Sequence, residues 1–174
     1  MINFKAKLSK VNSWTIIRLP KEASAKLSSR GQAMVEGTIN GHEFQTPLEP
    51  DGQWGHWFKL DASLLKSVDL NVGDTASLSI EPMTDWPDPE IPTDLNKALK
   101  SSSEASDLWR NITPIARWEW IRWIHSTGNQ ETRKRRIEVA ISKLETGKRR
   151  PCCWNRNLCT EPSVSKNGIL LDTA

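Results

Sequence analysis

Arg133, Lys134, Arg135 and Arg136 place four cations in one helical turn, within the run Glu131-Thr132-Arg133-Lys134-Arg135-Arg136-Ile137. Guanidinium and ammonium groups bind carboxylates and phosphates, so a run this dense is neutralised by its own chain, set against an anionic partner, or left in water. Lys148, Arg149 and Arg150 extend it, and from Arg133 to Arg150 eight Lys and Arg face two Asp and Glu, a net charge of +6. Trp118 and Arg122, with His125 beside them, form an aromatic and cationic group of the kind that binding surfaces favour.

Each of these residues also has an ordinary structural use. Arg133 lies four residues before Ile137, on the side of a buried stripe. An unpaired charge there is prohibitive, so Glu119, Glu131 or helix carbonyls are its expected partners. Arg135 and Arg136 point elsewhere and are freer. Lys148, Arg149 and Arg150 follow a helix C-terminus, where cations complement the dipole. Trp118 can instead pack between domains.

Reaction chemistry is sparse. His42 borders a turn, His56 sits in a strand and His125 near a helix end, none of them in a nucleophile motif. No glycine-rich phosphate loop occurs, and Asp85, Asp88 and Glu90 fall in a linker where fixed geometry is not expected. Cys152, Cys153 and Cys159 are odd in number and crowded, which argues for reduced thiols rather than disulfides, and their spacing does not suit zinc. The expectation is a protein that is not an enzyme, with no cofactor and no metal.

The elements that must hold these groups divide at a proline-rich stretch. With 174 residues, 37% apolar and 26% charged, the chain has the composition of a globular protein. No stretch approaches the ~20 apolar residues of a membrane span, and the N-terminus lacks a signal-peptide pattern, so the reading is cytoplasmic. Residues 1–81 read as strands of a small β-barrel. Asn40-Gly41 predicts a type I′ hairpin pairing Ile39 with His42 and Val35 with Thr46, Gly37 leaving room for the Phe44 ring. Trp14 to Leu19, Trp54 to Leu60 and Thr75 to Glu81 are further strands. Lys21 to Lys26 suits a short helix, and Asp61 caps another.

Residues 82–92, with prolines at 82, 87, 89 and 92, form the linker. Residues 93–150 then read as a helical bundle with caps at Thr93, Ser103 and Thr113. Ala116, Trp120, Trp123 and Ile124 make one core stripe, with Trp118, Arg122 and His125 on the opposite side, and Gly128 closes that helix. Asn129 or a neighbour opens the last helix, where Ile137, Ala140, Ile141 and Leu144 make a second stripe closed by Gly147. Residues 151–174 are a cysteine-containing tail. The fold class is therefore α+β in two domains, a small barrel followed by a helical bundle.

Phe4-x-Ala6, Leu19-Pro20, Val35-Glu36-Gly37-Thr38-Ile39-Asn40-Gly41 and Gly73-Asp74 resemble an N-terminal barrel domain of unknown function. Pro92-x-Asp94-Leu95-x-x-Ala98-Leu99, Trp123-Ile124, Glu131-Thr132-Arg133-x-Arg135-Arg136-Ile137 and Gly147-Lys148-Arg149 resemble the YdeI or OmpD-associated family, described as bacteriocin-protection proteins. The resemblance implies a double-split barrel like those of AbrB-like and MazE-like proteins, then helices, and no known reaction. One departure is His125 to Gln130, where that pattern carries a small residue and a lysine.

The residues and the resemblance together lead to a bacterial stress or bacteriocin-protection protein. It would bind a protein or a small anionic ligand through Arg133, Arg135, Arg136, Lys148, Arg149, Arg150, Trp118 and Arg122. The alternative is a nucleic-acid-binding regulator using the last basic helix. The barrel is a poor reader for that role, since residues 1–85 hold nine Lys and Arg against ten Asp and Glu, a net of −1. A homodimer is compatible with barrels of the resembled type, which often exchange hairpins.

Overall fold

The computed structural model describes residues 1–152 and 154–172. The chain forms two compact units: Met1–Thr84 with Asn155–Cys159 and the chain from Ser163 onward, and Asp85–Trp154 with Thr160–Pro162.

The first unit is a closed barrel. Its strands are β1 (Ile2–Val11), β2 (Trp14–Arg18), β3 (Ala33–Ile39), β4 (His42–Pro50), β5 (His56–Lys59) and β6 (Thr75–Pro82), with short helices α1 (Lys21–Ala25) and α2 (Ala62–Val68) between them. The order around the barrel is β1-β2-β5-β4-β3-β6, and each neighbouring pair is antiparallel. Closure removes the free edges that make a small sheet hard to stabilise alone. Alternation puts Ile2, Ala6, Leu8, Ile17, Val35, Ile39, Leu78 and Ile80 inside.

The β3–β4 hairpin has the expected register, from Ile39 opposite His42 to Val35 opposite Thr46. Asn40 and Gly41 both take positive φ, 47° and 84°, as a type I′ turn requires. Gly37, however, is explained by β6 and not by Phe44. A Cβ there would lie 1.9 Å from the Ser79 carbonyl oxygen, while the Phe44 ring stacks on Phe58 at 5.5 Å. The strand expected from Trp54 begins only at His56. Buried Asp51 accepts hydrogen bonds from Gln53 N at 2.7 Å and Gly55 N at 2.8 Å, which curls Trp54 and Gly55 into a turn.

The segment read from sequence as a tail is folded. Strands β7 (Ser165–Lys166) and β8 (Ile169–Leu170) pair with each other, and Cys159, Val164 and Leu170 build a second core with Val11, Ile16 and Trp57. Cys152 is exposed and Cys159 is buried; Cys153 lies outside the described residues.

The second unit holds α3 (Thr93–Lys100), α4 (Ser103–Asn111), α5 (Pro114–His125) and α6 (Gln130–Glu145). Thr113 caps α5 through Ala116 N at 3.2 Å, with Pro114 in the first turn. Asn129 caps α6 through Thr132 N at 2.9 Å. Two expected caps shift by one residue. Ser102, not Ser103, caps α4 through Ala105 N. Pro92 rather than Thr93 occupies the cap position of α3, where no side chain accepts. Helix α5 ends at His125, three residues short of Gly128. The core joins Leu95, Leu99, Trp109, Ala116, Trp120, Ile124, Ile137, Ala140 and Leu144, while Trp123 and Ile141 of the expected stripes pack against it only partly buried. Trp120 is fully buried, and its indole N–H donates to the Arg149 carbonyl oxygen at 3.0 Å.

Candidate binding surface of the helical unit

Arg133 leaves the first turn of α6 and meets the first turn of α3. Its Nε donates to Asp94 Oδ2 at 2.7 Å and its Nη2 to Oδ1 at 3.1 Å, a two-point pair. The Arg133 hydrogen bond holds the Asp94 carboxyl below its usual range, and Asp94 in turn raises the guanidinium. Arg133 Nη1 also donates to His125 Nδ1 at 3.2 Å. Nε2 of the same ring stands 3.1 Å from both carboxylate oxygens of Glu161. A line of Asp94, Arg133, His125 and Glu161 results. Arg133 is thus satisfied internally, but by Asp94 and His125 rather than by Glu119 or Glu131. Glu119 instead accepts from Arg150 Nη1 at 3.0 Å.

Most of the other candidate residues also hold the fold together. Arg136 Nη1 donates to the Trp123 carbonyl oxygen at 3.0 Å and to Ser126 Oγ at 2.6 Å, closing the C-terminus of α5. Its guanidinium lies 5.7 Å from the centre of the Trp123 ring. Arg149 Nη2 does the same for α4, donating to the carbonyl oxygen and to Oδ1 of Asn111, both at 3.0 Å. Trp118 Nε1 donates to the Pro87 carbonyl oxygen at 2.8 Å, and the ring meets Trp86 edge-on. Arg122, expected on an exposed face, is 8% exposed. Trp154 covers it, with the guanidinium 5.2 Å from the ring centre.

Lys134, Arg135 and Lys148 remain at the surface. Lys134 lines a cleft of about 430 Å³ together with Asp94, Arg133, Glu131 and Glu138, where Ala98 and Ile137 supply apolar surface. The cleft therefore carries both signs of charge beside an apolar floor. No cluster of three His, Cys, Asp or Glu placed to hold a metal occurs among the described residues. No helix among them is long and apolar enough to cross a membrane.

Two sequence signals, Pro92-x-Asp94 and Glu131-Thr132-Arg133, turn out to be the two halves of one ion pair. Asn111 and Ser126 gave no signal, because receiving an arginine at a helix end requires only a nearby oxygen. Glu161 gave none either, since it stands 36 residues from His125 in irregular chain.

Residues 88–147 match the family model described as Bacteriocin-protection, YdeI or OmpD-Associated. Residues 4–80 match a domain of unknown function, DUF1905. The helical domain is thus similar to the YdeI/OmpD-associated family, and the barrel ahead of it to the DUF1905 domain. No curated protein matches it. Asp94, His125 and Arg133 fall inside the family match and Glu161 outside it.

Proposed function

We propose that this protein is a non-enzymatic protection factor whose helical domain binds a segment of a partner protein in the cleft between α3 and α6. The observation that carries the reading is the cleft's composition. Asp94, Glu131 and Glu138 stand with Arg133 and Lys134 around Ala98 and Ile137. A peptide carrying both charges and an apolar side chain complements that arrangement, whereas a polyanion meets three carboxylates. The family description speaks of bacteriocin protection, which agrees with a binding role. Cytoplasmic residence belongs to the same proposal, and the nucleic-acid reading becomes its rival.

The test is affinity capture from a bacterial lysate with the intact chain and with a Lys134→Glu/Arg135→Glu variant, paired with survival under bacteriocin challenge. The expected result is a specific protein recovered by the intact chain and lost with the variant, with survival falling in parallel. Unchanged survival and capture in the variant would overturn the reading. Steeply salt-dependent binding of duplex nucleic acid by the intact chain would favour the rival.

A further inference from the structure

The barrel unit holds a second cleft, remote in chemistry from the helical surface and independent of the reading above. Among the described residues five non-glycine residues adopt positive φ, and four of them are Asn or Asp, whose short side chains tolerate it. The fifth is Trp54, at φ 71°. Its side chain is also the most exposed of the tryptophans, at 75%. A bulky residue held in a costly backbone region with its ring in water is placed there by something other than packing.

Trp54 lines a cleft of about 140 Å³ with Arg30, Gly52, Asn155, Asn157 and Leu158. Arg30 is half-buried and has no carboxylate partner among the described residues. Its Nη2 donates to the carbonyl oxygens of Ser24 at 2.8 Å and Leu27 at 2.7 Å, and its Nη1 to that of Trp54 at 3.3 Å. These bonds fix the guanidinium but leave its charge uncompensated, with Nε–H and one Nη1–H still available. Asn155 Oδ1 accepts from Asn157 N at 2.9 Å, which turns the Asn155 amide N–H groups outward as donors. The polar lining is thus rich in donors and poor in acceptors. Nearby Asp51 is occupied by Gln53, Gly55 and Arg18.

The far wall is close-fitted. A Cβ on Gly52 would come within 2.1 Å of the Gly168 carbonyl oxygen, and one on Gly168 within 2.9 Å of Leu158. Residues 155–158 lie outside both family matches.

We propose that this cleft binds a small aromatic carboxylate, with the ring between Trp54 and Leu158 and the carboxylate at Arg30 and the two asparagine amides. The volume sets the size, because a cavity of about 150 Å³ accommodates one benzene ring. The fixed Arg30 cation, held only by carbonyl oxygens, sets the charge of the ligand. The exposed indole sets its aromatic character.

The experiment titrates sodium benzoate into the full-length, isotope-labelled protein and follows the backbone amides of residues 29–31, 52–55 and 155–158 by NMR. Benzamide, which lacks the charge, and inorganic phosphate, which lacks the ring, serve as competitors. The expected result is saturable binding of benzoate with a Kd of about 1 mM or tighter, shifts centred on those segments, and at least about tenfold weaker binding of both competitors. Arg30→Gln should abolish binding, but it also removes three carbonyl contacts. Trp54→Ala therefore provides the decisive variant, since an exposed side chain can be truncated without unfolding the barrel. It should weaken benzoate binding about tenfold or more while the protein remains folded. Absence of saturation, equal affinity for benzamide or phosphate, or unchanged affinity in Trp54→Ala would each overturn the proposal.

Discussion

Arg133 and Asp94 lock the first turn of α6 to the first turn of α3, with nitrogen to oxygen distances of 2.7 and 3.1 Å. The geometry is the strong, two-point kind, yet the Asp94 side chain is 48% exposed and solvent screens it. A double-mutant cycle with Asp94→Ala and Arg133→Ala should therefore return a coupling of about 1 kcal/mol or less. The pH dependence has a definite sign. Because Arg133 lowers the folded-state pKa of Asp94 beneath its ordinary 3.8, the contribution is complete above pH 3.8 and disappears as pH falls through the lower folded value. Urea melts between about pH 2 and 5 should show this loss in the natural protein and not in Asp94→Asn.

Adjacent arginines should behave oppositely. Arg136 holds the Trp123 carbonyl oxygen and Ser126 Oγ, whereas Arg135 is exposed. Arg136→Ala should destabilise the helical unit by about 1 to 2 kcal/mol by orphaning the end of α5, and Arg135→Ala by less than about 0.5 kcal/mol. Denaturant unfolding followed by far-UV circular dichroism separates them. In a partner-binding assay Lys134→Ala, which removes the exposed cation lining the cleft, should be the damaging loss.

The two-domain architecture was legible because its signals are local. Asn40-Gly41 needs only positive φ, Thr113-Pro114 only a helix start, and the Ile137, Ala140, Leu144 stripe only helical period. The candidate site was legible in part, since a dense basic run identifies cations without showing which oxygens receive them. Arg133, Arg136 and Arg149 find theirs 39, 10 to 13 and 38 residues away, distances at which periodicity carries no information. Arg122 was misjudged because its cover, Trp154, arrives from irregular chain beyond α6. The packing of the 151–174 segment gave no sequence signal for the same reason. Cys159, Val164 and Leu170 are too scattered to show a period, yet each is buried.

His56 gives the barrel its own pH response. The residue is fully buried, its Nε2–H donates to the Gly31 carbonyl oxygen at 3.0 Å, and its backbone N–H donates to Ser24 Oγ. Burial lowers its pKa from 6.5, while the Gly31 contact raises it by less. The unfolded chain therefore takes up a proton at a higher pH than the folded one. Stability from this residue is intact above pH 6.5 and declines as pH falls from there toward the lower folded value. Thermal melts of the natural protein should show a falling midpoint from about pH 7 to 5. His56→Gln, which keeps a donor for Gly31 and cannot titrate, should show a flatter profile even if it is less stable throughout.

Trp54 tests whether strain is tied to binding. At φ 71° the left-handed region costs a side chain with a Cβ about 1 to 2 kcal/mol, a cost that glycine escapes. Because the indole is 75% exposed, its removal forfeits little packing. Trp54→Gly should then be more stable than Trp54→Ala by about 1 kcal/mol, after allowing for the greater freedom of glycine in the unfolded chain. Urea unfolding monitored at the barrel's remaining tryptophans measures the difference. Both variants should lose benzoate binding alike, since both lack the ring. A more stable barrel without a ligand would show that the tryptophan is kept at this turn for the cleft rather than for the fold, as expected where strain is stored at a binding site. Should Trp54→Gly instead prove no more stable than Trp54→Ala, the turn carries no strain and that explanation of its position fails.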